Sequence, residues 1–150
     1  MLFELTLEEG EYLVKLARKA VETYLTKRQI MEMPTEVPPK FKEKCGVFVT
    51  INTLQGKHHL LRGCIGFPYP TTILAKAIIE SAISSATQDT RFPPMVAEEL
   101  DQIVFEVSVL TPPEPVEVEK PQDYCSKIKV GQDGLIVERS YYKGLLLPQV

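Results

Sequence analysis

The hydrophobic pattern of the chain predicts two long helices. Apolar residues recur at three- and four-residue spacing after Thr6, which starts a capping-box pattern (TLEE), and this first helix should fade near Arg28. A second stretch has the same period and many small apolar residues. It predicts a helix that is capped by Thr71 or Thr72 and ends near Thr87.

Other segments have the β-branched and aromatic character of strands. Residues 46–53 and the stretch HHLLRGCIG flank a turn around Gly56, which predicts an antiparallel hairpin. Residues 103–111 predict a third strand, and 134–139 and 144–150 predict two more, joined by SYYK. Between the third and fourth strands, the proline- and glutamate-rich residues 112–121 indicate a boundary between two lobes. The predicted fold class is α+β.

Composition and charge exclude several classes of protein. The chain has 150 residues, of which 44% are apolar and 25% charged, and it contains no run of about 18 apolar residues that would predict a membrane helix. Its net charge of −3 argues against nucleic acid as a partner. Three widely spaced cysteines are typical of free thiols in a reducing compartment. We therefore expect a cytoplasmic protein.

The segment LRGCIG raises the question of a catalytic cysteine. A nucleophilic Cys64 needs a base within hydrogen-bond reach and a lowered pKa. On a regular strand His59 faces the opposite side, and His58 lies roughly 20 Å away. A dyad therefore requires a bend or bulge at Gly63, unless the start of the second helix near Thr72 activates the thiol instead. The spacing alone favours Cys64 as a small buried residue.

The residues around the cysteine are candidates for binding. Gly63 and Gly66 within a strand indicate a bulge, or a close approach of the backbone to other backbone or to a ligand. Arg62 is either an exposed surface residue, which is the default, or an anion clamp. Asp89 and Arg91 predict a local ion pair or turn cap, and their alternative role is to line a cleft together with Arg62.

A metal or cofactor site has little support in the sequence. Zinc requires three or four converging ligands, which only a fold that gathers Cys45, Cys64, Cys125 and a histidine would supply. The chain lacks the glycine-rich nucleotide motifs and the GxSxG motif. An RNA-binding strand is not predicted either, because Phe48 is the single aromatic residue where stacking needs two or three. We predict no metal, and no cofactor can be named.

Several motifs in a fixed order carry a family resemblance. GVFVT, LRGCIG, DTRFPP, LTPPEPV, DGLIVE and GLLLPQV, which together span residues 46–150, resemble the AMMECR-domain family. The resemblance implies one α+β domain over residues 1–150, with a mostly antiparallel sheet flanked by helices. It also implies a smaller second lobe, with LRGCIG near the cleft between the lobes. The family pattern continues past LLLPQV, so we expect the native chain to extend beyond Val150.

The resemblance does not settle a reaction, but it implies partners. Members of the family are often encoded beside, or fused to, a Memo-type protein and a radical-SAM-type protein, which indicates a shared pathway. We favour a binding or regulatory module that holds a small anionic ligand or a partner's peptide. Its candidate binding residues are Arg62, Gly63, Gly66, Asp89 and Arg91. The alternative is a cysteine-dependent enzyme in which Cys64 is the nucleophile and His59 or a helix N-terminus activates it.

Overall fold

The chain divides into two compact units with a boundary after Pro112. The computed structural model describes residues 4–150. The elements of the larger unit are α1 (Leu7–Lys27), β1 (Gly46–Gln55), β2 (His58–Phe67), α2 (Leu74–Thr87) and β3 (Ile103–Leu110). The smaller unit contains α3 (Tyr124–Lys127), β4 (Leu135–Arg139) and β5 (Tyr142–Leu146). Short 3₁₀ turns occur at Pro39–Lys42, Ala97–Gln102 and Pro121–Asp123.

Helix α1 begins and ends as its sequence predicts. The Thr6 hydroxyl accepts a hydrogen bond from the Glu9 backbone at 3.2 Å, and the Glu9 carboxylate accepts one from the Thr6 backbone at 2.8 Å. These bonds satisfy two N–H groups that have no partner within the helix. At the other end Arg28 adopts a left-handed conformation, with φ at 55°. The buried stripe consists of Leu13, Leu16, Ala17, Ala20, Val21 and Leu25.

The predicted threonine cap of α2 is wrong. Neither Thr71 nor Thr72 caps the helix, which begins at Leu74 after Ile73, a residue that makes no side-chain cap hydrogen bond. Instead, the Leu74 N–H donates to the Glu43 carbonyl at 2.8 Å. A distant loop therefore supplies the acceptor, and sequence neighbours alone could not reveal it.

The hairpin prediction is confirmed, and β3 completes an antiparallel sheet of order β2-β1-β3. Gly56 takes φ +61° in the turn, a conformation that glycine adopts without the strain other residues incur. Val47, Val49 and Ile51 are fully buried on one face of β1, towards the helices. This alternation is typical of a sheet with one face in the core.

Strand β2 contains a bulge in the LRGCIG segment. Ile51 pairs with Gly63, whereas the next residue, Asn52, pairs with Leu61. Arg62 is therefore the extra residue, and the strand is not regular as the parity argument assumed. An extra residue exchanges the faces of every side chain that precedes it along the strand.

In the smaller unit, β4 and β5 form an antiparallel hairpin, which confirms that two strands lie there. The predicted bounds of the second strand are wrong, because Tyr142 and Lys143 of the predicted linker SYYK belong to β5, which ends at Leu146. The pairing runs from Leu135 with Leu146 to Arg139 with Tyr142. Together the two sheets and the helices confirm the α+β class. The cleft between lobes stays a prediction. None of the helices described within residues 4–150 combines the length and apolar character that crossing a membrane requires.

Candidate functional site

The glycines of LRGCIG allow close contacts of the β2 backbone with the rest of the protein. A Cβ at Gly63 would lie 2.1 Å from the Ser85 carbonyl oxygen of α2, and one at Gly66 would lie 2.1 Å from the Val47 oxygen and 2.6 Å from Phe48. Both separations are far below van der Waals contact. The prediction of close backbone approach is confirmed. A ligand contact at either glycine stays a prediction.

Ser85, which the sequence did not single out, connects α2 to both strands of the hairpin. Its buried hydroxyl donates to the Val49 carbonyl at 2.7 Å and accepts from the Ile65 N–H at 2.8 Å. Val49 and Ile65 are register partners, so one hydroxyl satisfies polar groups of two paired strands. The local position of LRGCIG is thereby fixed to the helix. The available signal was a run of small residues on the helix face.

Asp89 and Arg91 hold the Cys64 peptide from the outer side of β2. The Asp89 carboxylate accepts from the Cys64 N–H at 2.9 Å and from Arg91 Nη2 and Nε at 2.7 and 2.9 Å. Arg91 Nη2 also lies 3.4 Å from the Cys64 carbonyl oxygen, to which it donates. The predicted ion pair is confirmed, and the Arg91 N–H donates to Asp89 Oδ1 at 3.1 Å as in a turn cap.

The Asp89–Arg91 pair shifts the pKa of both of its members. The hydrogen bonds from Arg91 hold the pKa of Asp89 well below its ordinary value, and the backbone N–H of Cys64 acts in the same direction. Asp89 in turn raises the pKa of Arg91 through its hydrogen bonds and its charge. The carboxylate is therefore ionised at neutral pH, and it remains a fixed acceptor for the guanidinium.

Asp89 is buried, whereas Arg91 extends into solvent. The side chain of Asp89 is 5% exposed and that of Arg91 is 55% exposed. Asp89 and Cys64 occupy Nε and Nη2 of Arg91, and within residues 4–150 its Nη1 has no hydrogen-bond partner. The guanidinium thus has one fixed edge, and its open edge is Nη1 alone, whose two N–H donors point in different directions.

Arg62 is not the surface residue that was the default prediction. Its side chain is 13% exposed and forms a two-point ion pair with Glu99, at 2.7 Å from Nε to Oε1 and 3.2 Å from Nη2 to Oε2. Nη2 also donates to the Pro93 carbonyl at 2.9 Å. Burial has the largest single effect and acts to raise the pKa of Glu99, but the hydrogen bonds and charge of Arg62 and the hydrogen bond from the Val96 N–H together lower it. The anion that Arg62 holds is therefore internal.

Phe92 lies between the two arginines. The guanidinium carbons of Arg62 and Arg91 lie 5.9 and 5.6 Å from the centroid of its ring, within cation–π range. The loop after α2 therefore contacts both arginines through one aromatic side chain. Phe92 and Glu99 were not predicted as site residues, because each acts across a distance in sequence that spacing does not reveal.

The Cys64 thiol is half-buried and has no histidine base. The Thr50 hydroxyl donates to its sulfur at 3.2 Å across the β1–β2 pair. The bulge places His59 on the same face as Cys64, which corrects the parity argument, but four ladder positions away, or about 13 Å. His58 now faces the other side. Neither histidine is within hydrogen-bond reach of the sulfur.

Activation of Cys64 by the start of α2 is also wrong. Gly63 packs against Ser85, near the end of the helix, so the helix start lies about 16 Å further along its axis. The positive end of a helix dipole acts only over its first turn. Within the same described part of the chain, no three histidine, cysteine or acidic side chains are grouped to hold a metal ion. Burial raises the pKa of Cys45, whereas Cys125 is exposed.

Comparison with known proteins confirms the family that the order of the motifs indicated. The family model described as AMMECR1 matches residues 14–150, so the chain belongs to the AMMECR1 family. A protein of Thermofilum pendens is 54% identical over 97% of this chain and 71% of its own length. Protein PH0010 of Pyrococcus horikoshii is 54% identical over the whole of this chain and 73% of its own length.

The fold agrees with a solved relative. The crystal structure of the uncharacterized protein PH0010 from Pyrococcus horikoshii superposes with a TM-score of 0.87 at 55% identity, and the match covers 94% of this chain and 70% of that chain. At this identity the likeness supports common descent as well as common fold. The names of these relatives state no activity, so a function has to be argued from the geometry of the site.

Proposed function

We propose that this chain is a binding module that holds a small anionic ligand, or an acidic group of a partner, at the open edge of Arg91 beside Cys64. The observation that carries the proposal is the contrast within the Asp89–Arg91 pair. A buried carboxylate fixes one edge of the guanidinium, and Nη1, with two donors that point in different directions, is open to solvent. An Nη1 group held in this way is a preorganised donor to an oxygen of a carboxylate or phosphate.

The supporting residues make the arrangement rigid. Gly63 packs on α2, Ser85 joins α2 to both strands, and the Arg62–Glu99 pair fixes the bulge beside Cys64. Each of these residues orients the peptide to which Asp89 and Arg91 bind. A site whose supporting groups are already bonded loses little conformational freedom when it binds.

The charge of the pair determines the kind of recognition. Asp89 largely neutralises Arg91, so long-range attraction of an anion is weak and the hydrogen bonds from Nη1 must supply most of the selectivity. We therefore expect modest affinity for a simple anion. Lysine at position 91 should not substitute, because the three bonds to Asp89 and Cys64 would use all three donors of an ammonium.

Isothermal titration calorimetry with inorganic phosphate and with malonate tests this proposal. Arg91→Gln should weaken binding of the better probe at least about tenfold, and Arg91→Lys should do nearly the same. Arg28→Gln is the matched control, since Arg28 is an exposed arginine at the end of α1. Equal binding by the Arg91→Gln and Arg28→Gln variants, or no binding of either probe to the wild type, would refute the proposal.

A cysteine-dependent enzyme is the second candidate, and one observation favours it. A hydroxyl that donates to a sulfur, as Thr50 does to Cys64, stabilises a thiolate. Iodoacetamide labelling at neutral pH separates the candidates. Fast labelling of Cys64 in the folded chain, slowed in Thr50→Val, supports the enzyme. Labelling of Cys64 only after denaturation rules it out.

We further propose that the module works in the cytoplasm with the Memo-type or radical-SAM-type proteins that its family resemblance implies. The free thiols and the binding geometry at Arg91 are compatible with a protein partner. Co-purification of each candidate partner with the wild-type chain and with Arg91→Gln tests this. Retention by the wild type and loss in the variant would support a shared site, whereas no retention of either partner would contradict it.

A further inference from the structure

The outer edge of β2 has one covered part and one open part. The Val49 carbonyl and the Ile65 N–H point towards each other and both bond to the Ser85 hydroxyl. Because backbone groups alternate in direction along a strand, the N–H and C=O of Cys64, which precedes Ile65, point away from β1. The bonds from Asp89 and Arg91 to the Cys64 peptide confirm that direction. These two side chains occupy the positions that a neighbouring strand would take.

Beyond the bulge the same edge is uncovered. The N–H and C=O groups of Leu61 and His59 also point to the outer side. Their partners on β1 are Asn52 and Leu54, which lie two and four positions after Thr50, the partner of Cys64. In the part of the chain that the structure describes, β2 is the last strand of its sheet, and no strand pairs with its outer edge. Unpaired strand edges recruit extended peptide backbone.

The side chains along this open edge are also exposed. Leu60 and Leu61 are 46% and 42% exposed, and Leu54, opposite His59, is 37% exposed. The β2 residues His58 to Leu61 and their partners thus form a hairpin tip with apolar groups on both faces. Apolar contact on both faces is what a docked strand uses besides its backbone hydrogen bonds.

The charge of the hairpin tip indicates the chemistry of the strand that would dock. The sequence contains no Asp or Glu between Lys44 and Ile79, although the whole chain is net negative. Lys57 stands in the turn next to the open edge, and Glu99, which lies beside this edge, is neutralised by its ion pair with Arg62. A second copy of the tip would bring two Lys57 side chains together. An acidic strand of another protein is the complementary partner.

We propose that the open edge of β2, at His58 to Leu61, binds an extended acidic segment of a partner protein by strand addition. The Asp89–Arg91 pair ends this docking edge at Cys64, which confines the partner to the hairpin tip. This surface is separate from the open edge of Arg91, and the proposal does not depend on the proposed anion site.

The test uses a fluorescein-labelled peptide of alternating glutamate and valine, seven residues long, titrated with the full 150-residue chain and followed by fluorescence anisotropy. Two further peptides carry N-methyl groups on all the valines or on all the glutamates. Alternate N–H groups of an extended peptide point to opposite edges, so strand addition requires that one methylated peptide loses at least about tenfold in affinity and the other does not. Equal binding of all three peptides, or no binding of the parent, overturns the proposal.

A pair of protein variants locates the surface. Leu61→Glu should weaken binding of the parent peptide several-fold, because it adds negative charge and removes an apolar contact at the edge. Leu7→Glu, which changes an 89% exposed leucine on α1, should leave binding unchanged. Circular dichroism establishes that both variants are folded. Equal binding by both variants would contradict the location. A concentration-dependent dimer that Leu61→Glu abolishes would replace the partner protein with a second copy of this chain.

Discussion

Alanine at Gly63 should disrupt the packing that holds LRGCIG on α2. The added methyl group would lie 2.1 Å from the Ser85 carbonyl oxygen and 3.0 Å from its carbonyl carbon, so either β2 or α2 has to move. Overpacking of this kind typically costs about 1–3 kcal/mol, and a backbone neighbour with no rotamer to change places Gly63→Ala at the upper end. For a chain of this size, about 3 kcal/mol lowers Tm by about 6–12 °C.

The control for this prediction is the same substitution on α1. A Cβ at Gly10 would meet nothing within 4 Å, so Gly10→Ala should stabilise the helix by about 0.5–1 kcal/mol. Urea unfolding and thermal melts followed by circular dichroism measure both variants against the wild type. If Gly63→Ala were within about 0.5 kcal/mol of the wild type, the close contact with Ser85 would not exist as described.

Three further predictions concern the polar groups around the site. Ser85→Ala should lower the free energy of unfolding by about 1–3 kcal/mol, because it leaves the buried Val49 carbonyl and the partly buried Ile65 N–H without their bridge. Ser81→Ala removes a buried hydroxyl that has no partner within residues 4–150 and should cost nothing, and urea unfolding compares the two variants. Asp89→Asn should be less stable than the wild type at pH 7. Because Asp89 has a lowered pKa, its contribution to stability exists above about pH 4 and is lost as the pH falls further. The Tm values of the wild type and the variant should therefore converge in thermal melts from about pH 7 to about pH 2. A constant difference in Tm would count against the ion pair. Arg62→Lys should cost about 1–2 kcal/mol in chemical unfolding, since lysine cannot keep both oxygens of Glu99 and the Pro93 carbonyl; no loss would mean that the two-point pairing is unimportant.

Most elements of the fold follow from local patterns in the sequence. The capping box at Thr6, the apolar stripe of α1 and the turn at Gly56 each depend on residues a few positions apart, and each is confirmed. The start of α2 is different, because its first N–H bonds to Glu43 about thirty residues upstream, as the numbering of the two residues shows. Helix ends that depend on distant loops are not encoded in local spacing.

The sequence indicated several residues that contact Cys64, but it missed Ser85, Phe92 and Glu99, and it revealed few of the contacts. Spacing predicted the ion pair of Asp89 with Arg91, but it did not reveal that Asp89 also holds the Cys64 peptide. The bulge at Arg62 reversed the predicted faces of the histidines, because one extra residue changes strand parity. Glu99, the ion-pair partner of Arg62, belongs to another element, and only the folded chain brings these two residues together.

The central claim is that the open edge of Arg91, fixed by Asp89 beside Cys64, binds an anion. The most direct measurement is a two-dimensional nitrogen–proton NMR titration of the chain with inorganic phosphate and with malonate. The claim predicts saturable shifts of the Arg91 guanidinium and Cys64 amide signals for at least one anion. It also predicts that the Cys64 shift disappears in Arg91→Gln and persists in Arg28→Gln. Signals of Arg91 and Cys64 that stay unchanged up to saturating anion, or a Cys64 shift that survives in Arg91→Gln, would contradict it.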